Sequence, residues 1–366
     1  MPWWQEERIE INQQQPHFLK KPSLVNVKDA VAISLKQEFV LEGHPGDAFK
    51  AYISEAKSQI ESELAKFVSG LSGLSLHSQI EYAVLSQGKR LRPLLVVLSA
   101  ESVGGNRKKV MPLALAFEFM HTATLVHDDI IDQDDMRRDR PAMHKKWSLN
   151  QALLTGDSLI ALAVDLASTY GETIMKTVAS SALELCDGEN MDIAFSPQMM
   201  TEESYFRKIR KKSASLFQAA TYSGALAGGG ALSEMNSLSA FGENFGMAYQ
   251  LRDDLLDLTN KSTSELKDLR KGRLTLPLIH SYSKCSPDER RQIADGLQTF
   301  LSTDSAADME SAKQILEIIR KTDSREYCER RVDGFLHQAI ASISEIKEAE
   351  YRAYLVEMVK ALKSFG

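Results

Sequence analysis

Cysteine is scarce in this chain of 366 residues, and the three that occur, Cys186, Cys285 and Cys328, are far apart. Their number is odd, and they show neither a CxxC pair nor the spacing of a zinc site. We therefore expect no disulfide framework and no structural zinc. A reducing compartment, the cytoplasm, fits this use of cysteine.

Basic charge is also not in excess, because the formal net charge is −6. That balance argues against a general nucleic-acid binder.

Long apolar runs are missing as well. The stretch from Met111 to Val126 comes closest to the roughly 18 to 20 residues that span a bilayer, but Glu118 and His121 interrupt it. The start, Met1 to Glu7, has neither a basic region nor an apolar core, so we expect no signal peptide and no membrane span.

Strand signals are missing too: there is no regular apolar alternation, no βαβ rhythm and no glycine-rich nucleotide loop. From Asp47 onward, apolar residues recur at helical spacing, as in Ile53, Ile60, Leu64 and Phe67. This pattern predicts an all-α fold, a single large helical bundle with a central active-site cavity. We assign residues 46–366 to this domain and residues 1–45 to an N-terminal extension.

The strongest feature is a pair of aspartate clusters. Asp128, Asp129 and Asp132 follow an apolar stretch, and Asp253, Asp254 and Asp257 repeat the same spacing 125 residues later. Residues four apart lie one above the other on a helix, so the like charges repel unless cations bind. Carboxylates at this density suit Mg²⁺, which is usually shared with substrate phosphates. The loop of a helix–loop–helix calcium site is absent. Two such clusters, with basic residues nearby, predict a diphosphate site held through magnesium.

Basic residues stand close to these clusters in three groups. Lys89, Arg90 and Arg92 precede an apolar helix, and Arg137 and Arg138 follow the first cluster. The third group comprises Lys208, Arg210, Lys211 and Lys212. A diphosphate that magnesium does not fully cover needs such donors.

With these motifs in order, the chain resembles the trans-isoprenyl diphosphate synthases, the family of farnesyl, geranylgeranyl and longer polyprenyl diphosphate synthases. The resemblance covers about residue 47 to the C-terminus. It depends on Gly-Lys-Arg-x-Arg-Pro at 88–93, the first DDxxD followed by Arg-Arg, Gly156-Asp157, Lys212-Ser213, and Gln250 before the second DDxxD.

The resemblance implies a magnesium-dependent transfer of an allylic group to isopentenyl diphosphate, and a homodimer. The implied metal ligands are Asp128, Asp129, Asp132, Asp253, Asp254 and Asp257. Arg137 and Lys212 are expected on the allylic diphosphate, and Lys89, Arg92, His121 and Arg138 on isopentenyl diphosphate. Lys212, Ser213 and Gln250 are expected near the developing carbocation. Without the resemblance, the apolar stretch around His121 favours a core histidine.

In this family, residues before the first aspartate cluster set the length of the product. Ala123 and Thr124 are small here, which leaves room for a product longer than farnesyl, and Met120 lies one turn further away. We expect geranylgeranyl diphosphate first and geranylfarnesyl diphosphate second. The alternative is that a different helix, around residues 160–170, limits the chain.

The sequence departs from the family pattern in three places. Gln87 replaces the first of two glycines, and the extension at residues 1–45 has no counterpart. The loop after the second cluster is shortened; there Lys267 is a candidate for the loop lysine, and Arg273 takes a later lysine position.

Two alternative functions stay open. A terpene cyclase shares the first cluster, and a non-catalytic subunit of a hetero-oligomeric synthase shares the fold. All six aspartates and the isopentenyl-site cations favour the synthase.

Overall fold

The structure is a computed structural model, and it describes residues 45–193, 201–259, 268, 271, 273–302 and 306–364. The predicted extension, except Pro45, and Lys267 lie outside these residues. The described helices are α1 (Pro45–Ser69), α2 (His77–Val84), α3 (Leu91–Glu101), α4 (Arg107–Ile131), α5 (Met143–Lys146), α6 (Leu149–Ser168), α7 (Glu172–Ile193), α8 (Glu202–Ile209), α9 (Ser215–Ala227), α10 (Leu232–Thr259), α11 (Leu276–Lys284), α12 (Pro287–Ser302), α13 (Ala306–Lys321), α14 (Ser324–Ser342) and α15 (Ala349–Ser364).

Helix α4 is the central element of the main core. Its apolar residues, including Leu113, Phe117 and Phe119, are fully buried, and it packs against α3 and α6. Helix α9 packs against α3 and α10, and α10 also packs against α14. Because α4 and α10 carry the two aspartate clusters near their C-terminal ends, this packing places both clusters beside one cavity. The all-α prediction is confirmed.

Two short departures from the α-helical pattern lie beside that cavity. Met136–Arg137 pairs antiparallel with Arg140–Pro141, a two-residue ladder that the sequence did not predict. Between α8 and α9, Arg210–Ala214 forms a π-helix. This segment separates two α-helices that would otherwise be continuous, and π-turns within helices are frequent at functional sites.

A smaller core lies between α11, α12 and α13 and contains Leu278, Ile293, Leu297 and Ile315. Ser286 caps the start of helix α12, since its Oγ accepts a hydrogen bond from the backbone N–H of Glu289.

Two described helices, α4 and α6, are long and apolar enough to cross a bilayer by length and composition alone. This differs from the expectation of no such segment, because the interrupting charges of α4 are too few to lower its mean hydropathy. The most apolar window of α4 is 72% buried within the protein, whereas that of α6 is 33% buried. The core position of α4 accounts for its composition, and the apolar surface of α6 calls for a separate explanation.

Candidate active site

A cavity of about 760 Å³ lies between α4, α7, the π-helix and α10. Most residues predicted for substrate, metal or product line it: Arg92, Met120, His121, Thr124, Asp128, Asp132, Arg137, Arg138, Lys212, Ser213, Gln250, Asp253, Asp254, Asp257 and Arg273. The lining does not include Lys89, Ala123 or Asp129. The structure thus brings together residues separated by up to about 180 positions in the sequence.

The first aspartate cluster is paired with cations. Asp129 is 4% exposed, and its Oδ1 accepts a hydrogen bond from Arg137 Nε at 2.7 Å. Burial raises the pKa of Asp129, and Arg137 opposes that rise. Asp132 contacts Arg273, and Lys271 Nζ lies 3.2 Å from its Oδ2. Asp129 points to Arg137 instead of into the cavity, which explains why it is not part of the lining.

The second cluster is organised by neutral donors. Asp254 is 4% exposed, and its two oxygens accept hydrogen bonds from Tyr205 Oη at 2.7 Å and Gln250 Nε2 at 2.8 Å. Burial and the nearby Asp268 raise the pKa of Asp254 to about 7. Gln250 also accepts a hydrogen bond from Ser213 Oγ at 2.5 Å. The predicted pair Ser213 and Gln250 is therefore one connected unit with Asp254.

Among the described residues, no three His, Cys, Asp or Glu side chains lie together closely enough to hold a metal ion. The donor set nevertheless fits magnesium, because carboxylates from α4 and α10 line one cavity and Mg²⁺ keeps several waters while sharing substrate phosphates. The predicted magnesium site stays a prediction.

The residues predicted for isopentenyl diphosphate form a basic corner of the site. The Arg92 guanidinium lies 4.3 Å from the centre of the Phe217 ring, and burial lowers its pKa to about 10. Burial, followed by Arg92 and Arg138, lowers the pKa of His121 well below its usual value. His121 is therefore neutral near pH 7, and the arginines supply the positive charge. Lys89 lies nearby, with Nζ 5.7 Å from the Tyr249 ring centre.

Two acidic residues that the sequence reasoning missed complete the site. On α7, Asp192 accepts hydrogen bonds from Lys208 Nζ and Lys212 Nζ, each at 2.7 Å, and lies 3.6 Å from Arg273 Nε. Glu189 lies 2.8 Å from Lys212 Nζ. Their spacing of three on a helix was the available signal, but it is equally typical of a solvated face.

The third basic group divides between two environments. Lys208 and Lys212 line the cavity, whereas Lys211 contacts Asp187 and Arg210 lies 3.5 Å from Glu184. Gly188 on α7 allows the π-helix to approach, because a Cβ at this position would lie 2.3 Å from the backbone nitrogen of Lys212.

The apolar end of the cavity clarifies the residues predicted to set product length. Met120 and Thr124 line it together with Ile160, Ala182 and Leu185. Ala123 does not line the cavity and is fully buried in the main core. The role predicted for Ala123 in setting product length stays a prediction, and Ile160 on α6 supports the alternative of a second limiting helix.

Comparisons with known proteins agree with this geometry. The polyprenyl synthetase family model matches residues 75–319. The chain is 30% identical to a short chain isoprenyl diphosphate synthase of Methanothermobacter thermautotrophicus, over 84% of this chain and 95% of that one. It is 31% identical to heptaprenyl diphosphate synthase component 2 of Geobacillus stearothermophilus, over 85% and 96%. The solved structure of geranylgeranyl pyrophosphate synthetase from Pyrococcus horikoshii superposes with a TM-score of 0.77 at 25% identity, covering 87% of this chain and 99% of that chain.

Proposed function

The chain belongs to the polyprenyl synthetase family and is a prenyltransferase, and we propose that it condenses isopentenyl diphosphate with an allylic diphosphate in a magnesium-dependent reaction. The observation that carries this proposal is the single cavity lined by aspartates of both clusters and by cations from four segments of the chain. We further propose that the protein acts in the cytoplasm, where its free cysteines would stay reduced.

The chain's own residues account for the binding of two diphosphates. Magnesium, when bound by the two clusters, would neutralise charge on the leaving diphosphate. Lys212, Arg137 and Arg273 now contact aspartates, and phosphate oxygens of the allylic substrate would replace these partners. The basic corner formed by Arg92, His121 and Arg138, with Lys89 beside it, would hold isopentenyl diphosphate.

Bond making and breaking then require little more than position and charge. The allylic C–O bond breaks, and its electrons leave with the diphosphate. The double bond of isopentenyl diphosphate attacks the allylic cation, and the adjacent carbon loses a proton to the released diphosphate. The oxygens of Ser213 and Gln250, which line the cavity, would lie near this cation, and the apolar wall would hold the growing chain away from water.

Release of diphosphate from defined substrate mixtures tests this proposal against its two alternatives. We expect release only when an allylic diphosphate, isopentenyl diphosphate and magnesium are all present, and none after chelation of the metal. Release from the allylic substrate alone would instead indicate a cyclase. No release from a folded protein would indicate a non-catalytic subunit.

For the product we propose geranylgeranyl diphosphate, with geranylfarnesyl diphosphate next. The names of the similar proteins range from short-chain to decaprenyl diphosphate synthases, so they do not decide the length. Met120 is 2% exposed and lies on the cavity wall beside Thr124, where it is placed to stop a growing chain.

Shortening Met120 tests this role. We expect Met120→Ala to lengthen the main product by at least one five-carbon unit, because it removes side-chain volume at the wall. Chromatographic sizing of the dephosphorylated products measures the shift. Met175→Ala is the matched control, since Met175 packs on the main core without lining the cavity. An unchanged product with Met120→Ala would assign the limit to another residue.

We also propose a homodimer. Helix α6 exposes Leu149, Leu153, Leu154 and Val164, and Ile131 at the end of α4 is 45% exposed. Several large apolar side chains exposed on one helix favour an interface. The similarity to a protein named component 2 makes a different partner subunit the alternative.

A further inference from the structure

We propose that Arg90 and Glu118 form a buried pair that positions the isopentenyl diphosphate corner, although neither is expected to touch the substrate. This inference rests on the proposed function. It starts from a residue with an unusual backbone: Arg90, the residue before α3, has a φ of 53°, in the left-handed region that arginine seldom adopts. Gln87, where the family has glycine, has no positive φ.

The side chain of Arg90 compensates for this backbone by connecting three elements. It is 5% exposed, and its Nη1 donates to Glu118 Oε1 on α4 at 2.5 Å. Its Nη2 donates to the carbonyl oxygens of Val84 at 2.9 Å and Ser86 at 2.7 Å, at the C-terminal end of α2. One guanidinium therefore fixes the end of α2, the start of α3 and the middle of α4 relative to each other.

The three cations predicted for isopentenyl diphosphate all depend on this anchor. Lys89 precedes Arg90, and Arg92 lies in the first turn of α3. Arg138 is connected through Ser86, whose carbonyl accepts from Arg90 and whose hydroxyl accepts from Arg138 Nη1 at 3.1 Å. Gly88 permits this approach, because a Cβ there would lie 2.9 Å from Arg138 Nη1.

Glu118 is the buried carboxylate of this corner. Its side chain is 3% exposed, and it lies one turn before His121 on α4. It acts electrostatically on Arg92 and Arg138 as well as on Arg90. Within the described residues, Glu118 Oε2 and Arg92 Nε are buried without a hydrogen-bond partner. Glu118 thus fixes Arg90 directly and attracts the neighbouring arginines, of which Arg92 lines the cavity.

Replacing both Arg90 and Glu118 by methionine distinguishes an effect on substrate binding from an effect on protein stability. Arg90→Met alone should lower the melting temperature, because it leaves the Glu118 charge buried and unpaired. The double variant Arg90→Met/Glu118→Met should regain much of that loss, since apolar side chains of similar volume replace the pair. We expect its KM for isopentenyl diphosphate to stay raised about ten- to a hundredfold, as for other residues that orient a site. Its KM for the allylic substrate should change little.

Recovery of the isopentenyl KM together with the melting temperature, or an equal rise of both KM values, would overturn the proposal. Glu61→Gln is the matched control. Glu61 Oε1 also lies near Arg90, 3.9 Å from Nε, but its side chain is 46% exposed. We expect this variant to leave both KM values unchanged.

Calorimetric binding of isopentenyl diphosphate distinguishes failure of this inference from failure of the proposed function, because binding needs no turnover. Weaker binding by the double variant supports the positioning pair even if the wild-type protein forms no product. Equal binding by both proteins, with turnover by the wild type, overturns the pair alone. A wild-type protein that binds no isopentenyl diphosphate overturns both.

Discussion

Asp192 shows how a single residue organises the cations of the cavity. Its side chain is 7% exposed and contacts Lys208, Lys212 and Arg273, which come from α8, the π-helix and the segment before α11. Burial alone would raise the pKa of Asp192, but these three cations together lower it well below the usual range. Asp192 therefore stays ionised and keeps two lysines and an arginine in place before substrate arrives.

Removing this charge should destabilise the protein. We expect Asp192→Asn to lower the free energy of unfolding at pH 7 by about 3 kcal/mol, because buried cations lose their counterion. Urea denaturation measures the difference. Asp187→Asn is the control: Asp187 contacts Lys211 but its side chain is 51% exposed, so we expect a loss of less than about 1 kcal/mol. Equal losses in the two variants would contradict this account.

Comparison of the wild-type protein with Asp192→Asn also gives a prediction for how stability depends on pH. A carboxyl group whose pKa is lowered by folding stabilises the protein above its unfolded pKa of about 3.9 and loses this contribution as the pH falls further. The gap in unfolding free energy between wild type and Asp192→Asn should therefore be full at pH 7 and should narrow below about pH 4. A gap that does not change down to pH 3 would assign the effect to shape instead of charge.

At the level of single residues, the sequence predicted which side chains line the cavity better than it predicted which side chains contact each other. The spacing of Asp128 and Asp132 identified the cluster, and the structure places both on the cavity. Asp192 escaped notice because an acidic residue on a helix is ordinarily solvated, and no local pattern shows which cations from distant segments will reach it. Ala123 is packed in the core and does not line the cavity, and its distance from Asp128 in the sequence does not show which residues of α4 meet the cavity.

The π-helix at Arg210–Ala214 is the element on which the cavity cations depend most. It turns Lys212 and Ser213 towards the cavity while Lys211 contacts α7. The residues of this segment have ordinary helix propensities, so the sequence does not distinguish it from the α-helices on either side. Its extra backbone width is set by packing against Gly188, a contact between segments that local propensity does not encode.

A methyl group at Gly188 should displace this element. We expect Gly188→Ala to reduce kcat roughly a hundredfold, because small displacements of positioned groups are costly. It should also lower stability by about 1 to 3 kcal/mol through overpacking. Steady-state kinetics and thermal unfolding measure the two effects.

Gly334→Ala is the control for Gly188→Ala, because nothing lies within 4 Å of a Cβ at Gly334 in α14. It should leave kcat unchanged and stabilise the protein by about 0.4 to 1 kcal/mol. Normal turnover by Gly188→Ala would show that the π-helix tolerates a shift and would contradict its proposed role.

At the scale of the whole molecule, the apolar surface of α6 is the feature that a single chain leaves unexplained. The all-helical bundle followed directly from apolar periodicity, and its cavity from the two clusters. The exposure of this surface did not follow from the sequence, because leucines such as Leu153 and Leu154 cannot be distinguished there from the buried residues of an apolar helix stripe.

Charged substitutions on this surface should separate the subunits. We expect Leu153→Glu/Leu154→Glu to convert a dimer into a monomer, because burying two carboxylates in an apolar interface is costly. Light scattering coupled to size-exclusion chromatography measures the mass. Leu74→Glu is the control, since Leu74 is also about half exposed but lies in the connection after α1. A wild-type protein that is monomeric throughout would refute the homodimer.

The most direct test of the account is elongation by the purified wild-type protein. It would be incubated with labelled isopentenyl diphosphate, magnesium and, in turn, dimethylallyl, geranyl, farnesyl or geranylgeranyl diphosphate, and the products would be sized. We predict elongation of allylic primers to geranylgeranyl diphosphate or one unit beyond. A folded protein that elongates none of the four primers would contradict the proposal that this cavity joins isopentenyl and allylic diphosphates.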